Sequence, residues 1–360
     1  MSLIQQFFES QNSKLSFVIG ICAILLGLIF LLLSMIVVSK IGRKRDERLR
    51  KRYWPYIKEN LAYIAIQSVT KEGSELDYNR SFRMLAQIKR RSRKVTQWVL
   101  DEIIKQKANL SGEASKTMLK VYKDLDLKNH SLRKLKSYKW NVVAQGIHEL
   151  ERMGQRDTFF EFYKFLNSRS PDLRMAARLG LTTLAPNPLS FLDHLKEELS
   201  EWEQMSIYNR LRNKQKDQLP DFSKHYYHEQ KSVVEFCVEM TVRFNYFELI
   251  PDLIELLKTS NRRSVVINAL TELEAFQALP LVKKLILNTR NSNTIIACLR
   301  YLAHIDDERC RPIIEKFFEH ESVEVRMASA AAATELGLEF EFVSAELQSM
   351  ISHHQNELIS

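Results

Sequence analysis

The sequence predicts an all-α protein in which a single N-terminal transmembrane helix precedes a solenoid of paired helices. An uncharged apolar run occupies residues 15–39, and apolar residues recur at helical spacing through most of the remaining chain. Only 9 Gly and 8 Pro occur in 360 residues. Most β and α/β folds need more glycine, because tight turns and phosphate loops require positive φ angles.

The first element is a membrane span at residues 15–39, preceded by a short external N-terminus at residues 1–14. At about 1.5 Å per residue, a helix of this length exceeds the ~30 Å hydrocarbon core. A cleaved signal peptide is the alternative. Its apolar core would be shorter, its basic residues would come first, and a small-residue cleavage site would follow.

Charge placement predicts the orientation of this span. Glu9 and Lys14 cancel before it, whereas eight basic and two acidic residues lie at 40–52. The positive-inside rule therefore predicts a single-pass protein of the inner (cytoplasmic) membrane, with its N-terminus outside and the repeat domain in the cytoplasm. The basic residues predicted to face lipid are Lys40, Arg43, Lys44, Arg45, Arg48, Arg50, Lys51 and Arg52.

A second basic stretch at residues 83–94 contains six basic and no acidic residues. Arg83, Arg90 and Lys94 are predicted to share one face of an amphipathic helix and to contact anionic lipid, where each basic residue contributes about 1 kcal/mol. The alternative is the exposed face of a helix packed on the solenoid. The chain carries +9 overall and each basic stretch +6, which leaves −3 elsewhere. A nucleic-acid groove would be basic along its length.

Three prolines reveal a repeat. Pro251, Pro280 and Pro312 are separated by 29 and 32 residues, and each opens an apolar helix that a second apolar helix follows. Residues 165–184 contain an earlier copy. One helical pair cannot bury its apolar face alone, so neighbouring pairs stack. The cysteines show no C-x-x-C pair or disulfide framework, which suits a reducing cytosol.

The motifs at residues 173–176 (LRMA) and 325–328 (VRMA) place alanine two positions after arginine in a second helix. In this they resemble HEAT repeats, although the middle units lack the arginine. The segment 132–150 resembles the start of the repeat domain in bacterial membrane-anchored HEAT-repeat proteins. That resemblance implies one N-terminal span, a cytosolic HEAT domain and an association with exopolysaccharide glycosyltransferases.

The predicted boundaries after the span are a basic juxtamembrane region with leading helices at 40–113, a HEAT-like solenoid at 114–337, and a capping helix with tail at 338–360. Repeat units are predicted at 114–153, 157–185, 189–246, 249–276, 279–304 and 310–337. The third is long because one helix is predicted through Leu195, Leu199 and Ile207. The basic stretch at 210–216 is predicted as a solvated linker, with a binding loop as the alternative.

The sequence predicts no catalytic residue, cofactor or metal site. The glycine-dependent nucleotide and hydrolase motifs are absent. His225 and His228 could share a metal on one helical face, but no third ligand stands at a recognisable spacing, which favours packed or surface histidines. An acidic run is predicted as the solvated face of one helix; it consists of Asp193, Glu197, Glu198, Glu201 and Glu203.

Together these features predict a membrane-anchored protein-interaction scaffold rather than an enzyme. The concave surface of the second helices would bind a cytosolic protein or the cytosolic part of a membrane protein, which the family resemblance implies is a glycosyltransferase. No small-molecule substrate is expected. The alternative is a HEAT-like nucleic-acid-binding protein or DNA glycosylase, which the charge balance disfavours. A bilin lyase or chaperone has no positive feature beyond the fold.

Overall fold

The computed structural model describes residues 2–70, 75–305 and 308–336, and it divides the chain into two compact units after Lys136. Regular structure in these residues is α-helix or 3₁₀-helix, with no strand among them. The predicted all-α class is therefore confirmed for the described part of the chain. The predicted capping helix and tail at 338–360 lie outside the described residues.

The first unit is built around one very long helix, α1, and four shorter ones. Their bounds are Ser2–Thr70 (α1), Glu75–Lys89 (α2), Arg93–Asn109 (α3), Gly112–Asp124 (α4) and Lys128–Lys134 (α5). Helix α1 packs against α2, α3 and α4, and α4 also packs against α3. The sequence placed the start of the repeats at residue 114, but α4 belongs to this bundle.

Helix α1 has two parts with opposite surroundings. Near its C-terminus Ile57, Leu61 and Ile64 are buried, and their spacing places them on one helical face toward the bundle. Residues 25–40 are exposed throughout. They belong to a helix that is long and apolar enough to cross a membrane, judged by length and composition. The predicted boundary at residue 39 is not a helix end, because α1 continues through the basic cluster and Pro55.

The predicted amphipathic helix with Arg83, Arg90 and Lys94 on one face is wrong. Helix α2 ends at Lys89, a turn follows, and α3 begins at Arg93. The break has a clear cause, since the Ser92 hydroxyl accepts a hydrogen bond from the Val95 amide (3.2 Å) and caps the new helix. Arg83 and Lys94 consequently lie on different helices.

The second unit contains ten α-helices among its described residues. These are Trp140–Arg152 (α6), Pro171–Leu184 (α7), Glu201–Leu211 (α8), Lys231–Arg243 (α9), Ile250–Thr259 (α10), Arg263–Glu272 (α11), Leu279–Asn288 (α12), Ser292–His304 (α13), Arg311–Glu315 (α14) and Val323–Glu335 (α15). Short 3₁₀ segments precede several of them, including Arg156–Phe165, Leu192–His194 and Phe222–His225.

These helices form a two-layer stack. In one layer α6 packs on α7 and α7 on α8, while α9, α11, α13 and α15 pack side by side in that order. In the other layer α10, α12 and α14 cover α11, α13 and α15, and the 3₁₀ segments Arg156–Phe165 and Phe222–His225 cover α7 and α9. The second unit is thus a stack of helical pairs, as the repeat pattern predicts.

The long third repeat predicted at 189–246 is in fact two pairs. Leu192–His194 precedes α8, and Phe222–His225 precedes α9. The predicted helix through Leu195 and Leu199 does not form. Instead, α8 begins after Ser200, whose hydroxyl accepts from the Glu203 amide (3.3 Å) while the Glu203 carboxylate accepts from the Ser200 amide (3.0 Å).

Three second helices end in the same way, and so does α4. Each is followed by a residue at positive φ: Gly154 (64°) after α6, Asn245 (53°) after α9, Glu274 (50°) after α11 and Asp126 (51°) after α4. The next amide donates to a carbonyl five residues back, as in Ala275 N–H to Leu270 O (2.9 Å). This Schellman geometry directs the chain from each second helix into the next pair.

Replacing Glu274 with glycine should stabilise the protein by about 0.5–1 kcal/mol, because the left-handed conformation strains a side chain with a Cβ atom. Asn245→Gly is the matched control and should have a smaller effect, since asparagine tolerates this conformation. Thermal unfolding of the full chain in detergent measures both changes. Equal effects, or a loss of stability with Glu274→Gly, would contradict the strain argument.

Candidate functional site

A groove of about 940 Å³ opens in the second unit. It lies on the layer formed by α6 to α9, α11, α13 and α15, which contains the second helix of each pair. Three of those helices, α8, α9 and α11, line it. Helix α8 presents Glu201, Gln204, Met205 and Tyr208, a spacing of i, i+3, i+4 and i+7 that lies on one helical face. Ile207 and Leu211, on its other side, are buried in the core.

Helices α9 and α11 present equivalent faces. The α9 lining includes Glu235, Val238, Glu239 and Val242, and the α11 lining is Val265, Asn268, Ala269 and Glu272. Both sets repeat the i, i+3, i+4, i+7 spacing. The opposite side of each helix is buried in the core, at residues such as Cys237 and Leu270. The groove is therefore a property of the repeat, with one face contributed by each successive pair.

The groove is acidic. Four carboxylates line it against one guanidinium, that of Arg243. Glu239 pairs with Arg243 on its own helix (2.6 Å), and Glu235 pairs with Arg262 (2.6 Å). Among the described residues, Glu201 and Glu272 form no ion pair.

Apolar and aromatic groups accompany these charges. The Arg243 guanidinium lies 4.9 Å from the centre of the Tyr208 ring, which places a cation against an aromatic ring. On α8, Trp202 is 72% exposed and Met205 46% exposed. Met205 lines the groove, whereas Trp202 is not a lining residue and stands one turn before Met205 on α8. Residues of both types are enriched where proteins bind other proteins.

A buried network connects α6, α7 and α8. Glu151 accepts hydrogen bonds from Thr183 Oγ1 (2.9 Å) and Arg210 Nε (3.0 Å), and His148 Nδ1 lies 3.4 Å away. Burial raises the pKa of Glu151, but these partners outweigh burial and hold the pKa below its usual value. The prediction of a solvated linker from residue 210 is wrong at Arg210, which lies in α8 and ties it to α6.

The acidic run is exposed at four of its five residues, as predicted, but it does not lie on one helix. Asp193 lies in a 3₁₀ segment, Glu197 in the loop that follows, and Glu203 in α8. Two of them pair with arginines elsewhere in the second unit: Glu197 with Arg174 (3.0 Å) and Glu203 with Arg178 (2.7 Å). The Oδ1 atom of Asp193 lies 3.3 Å from Nδ1 of His225. These carboxylates connect neighbouring pairs of the stack.

The histidine pair is packed. His225 is buried, and burial lowers its pKa despite the nearby Asp193 carboxylate. The ring centres of His225 and His228 are 6.5 Å apart. Within the described residues, no group of three metal-ligating side chains comes together.

The predicted lipid-facing residues are all exposed in the first unit. The structure brings the two basic stretches together, because Lys94 of α3 pairs with Asp46 within the basic cluster of α1. Arg50 is positioned over the Trp54 ring at 5.0 Å. The contact between Asp46 and Lys94 could not be predicted from the sequence, because the two residues are 48 positions apart.

No protein-family model and no curated protein matches this chain. Among solved structures, an engineered protein is 12% identical, with 77% of this chain and 88% of that chain covered and a TM-score of 0.31. A designed armadillo repeat protein in complex with the peptide (KR)4 is 13% identical, with 73% and 100% covered and a TM-score of 0.24. These scores are low, so the repeat architecture rests on the chain's own helix packing.

Proposed function

We propose that the second unit is a non-catalytic protein-interaction module whose groove on α8, α9 and α11 binds a segment of a partner protein. The observation that carries this proposal is the groove itself, which is lined by one face from each of three successive helices, α8, α9 and α11. Its volume lies within the ~300–1,000 Å³ typical of ligand clefts. Trp202 and Met205 supply the kind of exposed apolar anchor that dominates binding energy at interfaces.

The groove charge argues against nucleic acid as the ligand. Proteins that bind DNA or RNA neutralise phosphates with lysine and arginine, whereas carboxylates predominate here. A DNA glycosylase would also need a basic channel leading to a pocket for an extruded base. The acidic groove therefore favours binding of a protein segment over binding of nucleic acid.

We further propose that α1 anchors this module to the inner membrane, with its N-terminus outside and the second unit in the cytoplasm. The supporting observations are an 18-residue window of mean hydropathy 2.4 with none of it buried, and the exposed basic cluster that follows. Water contact over this apolar surface would be unfavourable by about 25 cal/mol per Å². Tethering would raise the effective concentration of a membrane-bound partner.

The lipid contacts proposed for the first unit involve the cluster at 40–52 together with Arg83, Arg90 and Lys94. Asp46 already offsets part of the Lys94 charge, so we expect Lys94 to contribute less than the α1 residues. The partner we propose is the cytoplasmic part of a membrane protein. A polysaccharide-synthesising glycosyltransferase as that partner rests on the family resemblance of residues 132–150.

Proximity labelling in cells tests this function, with the labelling enzyme fused to the C-terminus. Trp202→Ala should remove a specific set of labelled membrane proteins, because it removes the exposed anchor beside the groove. Phe276→Ala is the matched control: this aromatic side chain is also well exposed, but it lies in the segment Phe276–Ala278, which contributes no residue to the groove. Deleting residues 1–39 should move the chain from the membrane to the soluble fraction.

Two results would contradict the proposal. One is a set of labelled proteins that neither Trp202→Ala nor Phe276→Ala changes. The other is enrichment of DNA- or RNA-associated proteins that persists without residues 1–39. Membrane retention after that deletion would contradict the anchor alone.

A further inference from the structure

We infer that the segment bound in the groove is extended and cationic, with lysine or arginine at both ends of an apolar stretch of about five to eight residues. This inference rests on the proposed function and adds the chemistry of the partner. It follows from where the unpaired carboxylates lie and from what lies between them.

Glu201 and Glu272 mark the two sides of the groove. Glu201 is the first residue of α8, and Glu272 is the last residue of α11. With α9 between them, the axes of the two helices are separated by about two packing distances, or roughly 16–20 Å. The opposite helix ends add an axial offset of up to about 15 Å. The two carboxylates are then roughly 16–25 Å apart, and an extended chain of about five to eight residues bridges that distance at ~3.3 Å per residue.

Of the two carboxylates, Glu272 has the stronger electrostatic reason to bind a cation. The C-terminal end of a helix carries partial negative charge, so a carboxylate in the last turn is unfavourable there. The last turn of α11 has no basic residue, and no described residue forms an ion pair with Glu272. In α9 the last turn carries Arg243, which relieves the same problem. A cation from a bound segment would do for α11 what Arg243 does for α9.

Apolar side chains fill the distance between these carboxylates. Met205, Val238, Val242 and Val265 line the groove, and the Tyr208 ring lies among them. Apolar residues of the bound segment would pack on these side chains, while the exposed face of Trp202 on α8 attracts cations. Glu235 and Glu239 add to the negative potential even though each is paired.

Three labelled nine-residue peptides test this chemistry by fluorescence anisotropy on the full chain in phosphatidylcholine nanodiscs. All share an apolar centre, and positions 2 and 8 are both lysine, both glutamine or both glutamate. We expect the lysine peptide to bind about tenfold more tightly than the glutamine peptide, with the glutamate peptide weakest and the preference falling with salt. Empty nanodiscs correct for binding to lipid.

Glu272→Lys should weaken binding of the lysine peptide by about fivefold or more, because it replaces attraction with repulsion. Glu255→Lys is the matched control. It makes the same charge change at an exposed carboxylate of α10, outside the groove, and should change the affinity less than twofold. Circular dichroism checks that both variants keep the helical content of the native chain.

The outcomes separate this inference from the proposed function. If Trp202→Ala weakens all three peptides while the end charges make no difference, the groove binds peptides but the cationic preference is wrong. Equal effects of Glu272→Lys and Glu255→Lys would also overturn the preference. If no peptide responds to Trp202→Ala, both the inference and the groove function fail.

Discussion

Glu203→Ala should destabilise the second unit by about 3–5 kcal/mol, because it leaves a buried guanidinium without its carboxylate. Arg178 of α7 is 1% exposed and Glu203 of α8 is 12% exposed, with 2.7 Å between Nη1 and Oε1. Burial lowers the pKa of Arg178, and the Glu203 charge opposes that shift. The Nε and Nη2 atoms of Arg178 have no hydrogen-bond partner among the described residues, so the carboxylate carries much of the compensation.

A double-mutant cycle measures this interaction. Arg178→Met replaces the buried cation with an apolar side chain of similar length, and it should cost less than Glu203→Ala because it leaves no buried charge unpaired. The double variant Arg178→Met/Glu203→Ala should therefore be more stable than Glu203→Ala alone. Urea unfolding of the full chain in detergent, followed through the helical signal, provides the free energies.

Glu203 has a second role that needs its own control. Its Oε2 atom accepts from the Ser200 amide and hydroxyl (both 3.0 Å), which completes the capping box of α8. Ser200→Ala removes much of that cap while keeping the carboxylate, at an expected cost of about 0.5–2 kcal/mol. If Glu203→Ala costs no more than Ser200→Ala, the buried ion pair contributes little and the argument is wrong.

The sequence predicts the later repeats because their boundaries depend on local chemistry. Pro251, Pro280 and Pro312 each stand in the first turn of a helix, as predicted for α10, α12 and α14. Proline favours that position because its missing amide donor is not needed there. A local steric rule of this kind is visible in one sequence, and the structure confirms it at all three sites.

The sequence predicts one repeat at 189–246 where the structure has two, because the first segments of both are too short to show a helical period. Leu192–His194 and Phe222–His225 are single 3₁₀ turns, and neither has proline in its first turn. One signal was available, since Ser200 followed by Glu203 matches a capping box and would have started α8 correctly. Ser92 similarly marks the break between α2 and α3.

The groove could not be predicted from the sequence alone. The i, i+3, i+4, i+7 faces of α8, α9 and α11 can be read from spacing, but nothing local indicates that these three faces adjoin. The sequence also does not distinguish the roles of neighbouring carboxylates. Glu197, Glu201 and Glu203 look alike in sequence, yet one pairs with Arg174, one lines the groove and one neutralises Arg178. Only tertiary packing distinguishes their roles.

Gly180→Ala should destabilise the second unit by about 1–3 kcal/mol, although alanine is the better helix former by about 1 kcal/mol. Gly180 lies inside α7, and a Cβ atom there would be 2.8 Å from Phe162 Cδ2 and 3.0 Å from Ile147 Cγ2. Phe162 and Ile147 are both fully buried, which leaves them little room to move. The steric cost should therefore exceed the gain in helix propensity.

Gly42→Ala in α1 is the matched control, because, apart from its chain neighbours and the backbone of its own helix, nothing lies within 4 Å of the added Cβ atom. There the propensity gain should appear unopposed, so the two glycine substitutions should change stability with opposite signs. Phe162→Leu should partly rescue Gly180→Ala, since a smaller side chain removes the contacts at 2.8 and 2.9 Å. If Gly180→Ala stabilises the chain, α6, the segment Arg156–Phe165 and α7 are packed less closely than the structure indicates. Thermal unfolding of Gly180→Ala, Gly42→Ala and the double variant Phe162→Leu/Gly180→Ala, with Phe162→Leu as the reference for the double variant, decides between these results.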